Sequence, residues 1–133
     1  MIVEQSLTSH NRLSNLTIVV VEDHDDTRRF LGNFLGRLGA NVVLARNAVE
    51  GVEAVKTSRP NLVLCDIKMP GRDGFEVLSE IRAIGPAAGG SVPVIAMSAL
   101  VTHASARMLG FQACLAKPFT PDKLLETILT VLF

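Results

Sequence analysis

The sequence has no excess charge of either sign, because thirteen basic residues balance thirteen acidic ones. A polyanion held by counterion release needs a positive field, so nucleic-acid binding is not expected. No apolar run approaches the twenty or so residues that cross a bilayer, so membrane insertion is not expected either. Cysteine is scarce: Cys65 and Cys114 have no metal-like spacing, and residues 1–15 lack the basic start and apolar centre of a secretion signal. These absences predict a reduced, cytoplasmic setting with free thiols. Internal repeats are absent, and with 48% hydrophobic and 20% charged residues the composition is not that of a disordered chain. A length of 133 residues suits one compact domain.

What is present is an alternation of short β-branched runs and amphipathic stretches from Leu16 onward, the pattern of βα units around a buried parallel sheet. Strands are predicted at Thr17–Val21, Asn41–Ala45, Leu62–Cys65, Val92–Met97 and Gln112–Ala116. Phe30, Leu31, Phe34, Leu35 and Leu38 recur at helical spacing ahead of Gly39, a C-terminal cap candidate. Asn47 with Glu50 resembles a capping box, and Thr120-Pro121 supplies a cap and a first-turn proline for the last helix. Phe75, Leu78 and Ile81 mark a helix after Gly74, whereas Leu100 to Leu109 is only loosely patterned. The segment from Gly85 to Ser91 reads as a mobile loop, and residues 1–15 as a tail or linker before a domain at 16–133.

Ligands of open parallel sheets bind beyond the carboxyl ends of the strands. Those ends carry Glu22 and Asp23, then Asp66, Ser98 and Lys117, so three carboxylates, a hydroxyl and an ammonium are expected to converge. Crowded carboxylates repel unless a cation intervenes. A few hard oxygen ligands suit Mg2+ better than zinc or calcium. Asp25 and Asp26 read as helix-start charges, and His10, His24 and His103 as surface residues. Cys65, Met97 and Met108 read as core packing.

VVVED at 19–23, LCDIKMPGRDG at 64–74, MSA at 97–99 and LAKPF at 115–119 together resemble the receiver domains of two-component response regulators, chemotaxis-regulator-like in form. The resemblance implies a doubly wound, flavodoxin-like α/β fold with sheet order 2-1-3-4-5 and helices on both faces. It implies that Asp66 is the phosphoacceptor and that Glu22, Asp23, Asp66 and the backbone carbonyl of Lys68 hold Mg2+ directly or through water. Ser98 and Lys117 would then contact the phosphoryl group, and the Lys117–Pro118 bond would be cis. The implied partners are a sensor histidine kinase or histidine phosphotransfer protein and a downstream protein target. Such a chain is a signalling switch that catalyses its own modification rather than a metabolic enzyme.

The family usually places an aromatic three residues before the lysine, and here that residue is Cys114. A thiol cannot sweep the arc of a ring, so activation is expected to move only the loops after Asp66 and Ser98, with Phe111 the nearest substitute. Lys68 and Leu100 are expected to flank the phosphoryl group, and the bulk of Leu100 to slow its hydrolysis. Two other readings are open. Asp23 to Thr27 also fits the DxDxT nucleophile motif of haloacid-dehalogenase-type phosphatases, although Met69-Pro70-Gly71 and Lys117-Pro118 are then unexplained. A binding module that has lost phosphorylation would usually lack the acceptor or the lysine, and both are present.

Overall fold

Five parallel strands form one sheet in the order β2-β1-β3-β4-β5, in a computed structural model that describes residues 11–69, 71, 73–99 and 103–133. The strands are β1 (Thr17–Val21), β2 (Asn41–Ala45), β3 (Leu62–Asp66), β4 (Val94–Ser98) and β5 (Ala113–Ala116). The helices between and after them are α1 (Asp25–Arg37), α2 (Ala48–Ser58), α3 (Gly74–Ala83), α4 (His103–Met108) and α5 (Pro121–Leu132). Sheet and helices match the doubly wound order expected from the sequence.

The period of two along each strand divides the core. Val19, Val21, Val63, Cys65, Val94 and Ala96 point to one side, where Ala54 and Val55 of α2, Val77, Leu78 and Ile81 of α3 and Ala106 of α4 cover them. Ile18, Val20, Leu62, Leu64, Ile95, Met97 and Leu115 point to the other, under Leu31 and Leu35 of α1 and Leu124 and Ile128 of α5. Each buried Leu, Ile or Val contributes roughly 1.5–3 kcal/mol relative to exposure, so the two apolar layers fix the sheet between its helices. At residue 51 the fit has no slack: a Cβ on Gly51 of α2 would stand 2.7 Å from Cγ2 of Val21.

The caps follow sequence logic with one change of partner. Asn47, Asp73 and Thr120 accept from the backbone N–H groups of Glu50, Glu76 and Lys123 at 2.9, 3.0 and 3.1 Å. Glu50 does not close a reciprocal box with Asn47; its carboxylate accepts from the Arg46 backbone N–H at 2.8 Å.

Three expectations need correction. Leu13, assigned to the tail, is fully buried and its N–H donates to the Leu38 carbonyl at 2.9 Å, so packing reaches back into residues read as linker. The stretch from Gly85 to Ser91 is an ordered turn with a 3-10 segment at Pro86–Ala88, closed by the Gly90 N–H on the Gly85 carbonyl at 2.8 Å. Met108 is 89% exposed rather than core, because α4 turns it outward at its last residue.

Candidate functional site

The site is assembled by strand register. Val21 pairs with Cys65, so Glu22 emerges beside Asp66; Asp66 pairs with Met97, which places Ser98 one step beyond; Ser98 pairs with Ala116, and Lys117 follows. Each strand therefore delivers its polar residue at the same edge. The apolar stretches that build β1, β3 and β4 are what carry Glu22, Asp66 and Ser98 into burial at 0%, 5% and 5% exposure.

One carboxylate oxygen from each of Glu22, Asp23 and Asp66 lies within 4.8 Å of the others. At that separation two ionised carboxylates repel by about 3 kcal/mol for an effective dielectric near 20. The Lys117 ammonium offsets part of this, with Nζ 3.0 Å from Glu22 Oε1 and 3.3 Å from Asp66 Oδ1. Glu22 Oε2 accepts from the His24 backbone N–H at 3.2 Å, and Asp66 Oδ1 from that of Lys68 at 3.4 Å. Burial pushes the Glu22 carboxyl above its usual range against the pull of Lys117, and the charge on Asp66 adds to the rise. Burial alone would lower the Lys117 ammonium, but its bonds to Glu22 and Asp66 hold it above its ordinary range.

The donor set consists of hard carboxylate oxygens with an excess of negative charge, which fits a small divalent cation that retains water ligands. A cleft of about 800 Å³ opens over it, lined by Asp23, His24, Thr27, Asp66, Lys68, Ser98 and Lys117 among others. Asp23, Asp66, Ser98 and Lys117, expected from the sequence to meet, border one cleft, and Glu22 joins them from beneath through Lys117. The Lys117–Pro118 peptide is cis, as the resemblance implied.

Gly74 supports this site in a way its turn propensity does not reveal. A Cβ there would lie 2.7 Å from the Asp66 carbonyl oxygen and 2.8 Å from Ile67 Cα, and the Gly74 N–H donates to the Ile67 carbonyl at 2.8 Å. The start of α3 rests directly on the backbone that carries Asp66. Asp25 and Asp26 do sit in the first turn of α1, where Asp25 pairs with Arg28.

Cys65 is buried and its thiol is held high by desolvation, consistent with a packing role. Cys114 lies half-buried on β5. Phe111 does not share that strand: it is 1% exposed and meets Phe75 edge-on, with ring centroids 5.9 Å apart. Leu100 and His10 lie outside the described residues, as does the side chain of His103, while His24 is exposed.

A protein-family model, the response regulator receiver domain, matches residues 18–129. The sensor histidine kinase RcsC of Salmonella typhi is 32% identical over 117 residues, which are 86% of this chain but only 12% of that protein. An uncharacterised 14.6 kDa protein of Leptolyngbya boryana is 34% identical, with 87% of this chain and 89% of that one aligned. Among solved structures, the receiver domain of sensor histidine kinase PA1611 from Pseudomonas aeruginosa, described with magnesium in its active-site cleft, has a TM-score of 0.78 at 27% identity. It covers 90% of this chain and 98% of its own. The chemotaxis protein CheY4 of Vibrio cholerae has a TM-score of 0.80 at 23% identity, covering 88% and 98%, and shares the fold. No helix among the described residues is long and apolar enough to cross a membrane. With the matched stretch running from β1 into α5, the chain belongs to the response regulator receiver domain family of two-component signalling switches.

Proposed function

We propose that Asp66 accepts a phosphoryl group from the phosphohistidine of a sensor histidine kinase or a histidine phosphotransfer protein. In that transfer the phosphorus–nitrogen bond of the donor breaks as a bond to an Asp66 carboxylate oxygen forms, and the imidazole leaves with the electron pair. The observation that carries this reading is the Lys117 ammonium standing between Glu22 and Asp66, whose carboxylates cluster with that of Asp23.

Phosphoryl transfer asks for positioning and charge neutralisation more than covalent help. Asp23, Asp66 and the Lys68 carbonyl are the direct protein ligands for Mg2+ in this reading. Glu22, whose two oxygens are occupied by Lys117 and the His24 N–H, acts through water. Bound Mg2+ supplies positive charge against the phosphoryl oxygens. Ser98 donates its hydroxyl to one of those oxygens, and Lys117 transfers its pairing from Asp66 to another. The chain modifies itself and is then dephosphorylated, so it acts as a switch in the cytoplasm rather than as a metabolic enzyme.

Output passes through protein contacts at the face of α4, β5 and α5. A cleft of about 740 Å³ there is bordered by Arg107, Cys114, Phe119, Lys123 and Thr127, among others.

Incubation with radiolabelled acetyl phosphate and Mg2+, followed by mapping of the acid-labile group, tests the assignment. Label on Asp66, reduced about 100-fold or more in Asp66→Asn, is expected. Label on Asp23 would instead indicate phosphatase-type chemistry, and no label would indicate a binding module.

A further inference from the structure

The strand-to-helix junction that carries the acidic pair is built differently from those that start α2, α3 and α5. The N-cap residues of α2, α3 and α5 each use a side chain to hold a helix N–H. His24, the N-cap of α1, makes no such bond. Instead Arg28, one turn into α1, reaches back: its Nη1 donates to the carbonyl of Glu22 at 3.0 Å and to that of Asp23 at 3.3 Å. Its Nη2 pairs with the Asp25 carboxylate. The Arg28 side chain is 14% exposed, so the fork is largely shielded from competing water.

We infer that Arg28 is a positioning residue for the cation site, holding the Glu22–Asp23 backbone so that both carboxylates face Asp66. This rests on the functional reading above, and concerns a group that touches neither cation nor phosphoryl. The electrostatics demand some such restraint. Like charges on Glu22, Asp23 and Asp66 push the loop outward, and the peptide carbonyls of residues 22 and 23 are the handles by which it can be held. A guanidinium presents several donors in a fixed plane and can serve both carbonyls and a carboxylate together; an ammonium concentrates its donors at one point. Arg29, the next residue, offers a comparison, because it carries the same charge but pairs with the exposed Asp26 at 3.4 Å.

The full chain is titrated with MgCl2 while the backbone amide resonances of His24 and Lys68 are followed by NMR, with circular dichroism recording folding. Arg28→Met is expected to weaken Mg2+ binding by about tenfold, the usual scale for a group that orients metal ligands. Arg29→Met, with the same loss of charge, should stay within about twofold of the unmodified protein. Should Arg28→Met not fold, Arg28→Lys, which keeps the charge and loses the fork, is expected to weaken binding by about threefold. A stabilising salt bridge alone would lower the melting temperature without moving the affinity for Mg2+. Unchanged Mg2+ affinity in a folded Arg28 variant, or equal weakening in Arg29→Met, overturns the inference. Absence of any Mg2+ response in the unmodified protein sinks the functional reading and this inference with it.

Discussion

At the amino end of the sheet Arg82 donates to the carbonyls of Gly90 and Val92 at 2.9 and 2.7 Å, whereas at the carboxyl end Lys117 stands between the carboxylates of Glu22 and Asp66. Both ends draw a cation inward. The first surrounds it with neutral backbone oxygens, and the bonds close a turn. The second gives one ammonium two carboxylates, with that of Asp23 clustered beside them, so three acidic groups share one close ammonium among the described residues. One arrangement ties neutral groups together, and the other gathers like charges at one edge of the sheet.

The largest effect expected from this contrast is at the amino end. Arg82→Met removes two short bonds to carbonyls and should cost about 2–3 kcal/mol, read from urea denaturation, while labelling of Asp66 by acetyl phosphate keeps its rate. A comparable loss of labelling would break the separation between the ends. At the carboxyl end the opposite sign is expected: Asp23→Asn relieves repulsion and should raise metal-free stability by about 1 kcal/mol, with weaker Mg2+ binding. If it destabilises the metal-free protein, the acidic cluster is not under electrostatic stress.

The smallest effect belongs to the exposed Arg46–Glu50 pair, which tests how far surface charge matters at all. Its hydrogen bond from Arg46 holds the Glu50 carboxyl below its ordinary value of 4.5. A group depressed in the folded state stabilises above its unfolded value and loses that contribution as pH falls through the folded one. Glu50→Gln should therefore narrow the stability difference between pH 6 and pH 3 slightly, and an unchanged difference would assign the pair no weight.

Much of the sheet was legible because β1, β3 and β4 are apolar on both faces and end in polar residues, a pattern that needs no tertiary information. Glu22, Asp66 and Ser98 were legible for the same reason, each being the first polar side chain of such a run, with Asp23 next to Glu22 and Lys117 just after β5. The rest depended on partners remote in sequence. The order in the Gly85–Ser91 turn comes partly from Arg82, and from Arg59 donating to Ala87 at 3.1 Å, while the glycines alone suggest mobility. Leu13 is one apolar residue in an unpatterned stretch, and only its seat beside Leu38 marks it as core. Gly74 stood out as the residue before a helix pattern, and nothing local announces that α3 lands on the Asp66 carbonyl. Nothing local singles out Arg28, because the backbone oxygens it holds lie five and six residues behind it.

Gly51 has a consequence for how far this chain tolerates change. Because α2 meets Val21 with no side chain between them, the strand ending in the acidic pair is backed by helix at a clearance smaller than one methyl group. A larger residue at 51 would force a shift at Val21, the residue just before the acidic pair. The precision of the charged pocket is thus partly set on the far side of the sheet, by an atom that is missing.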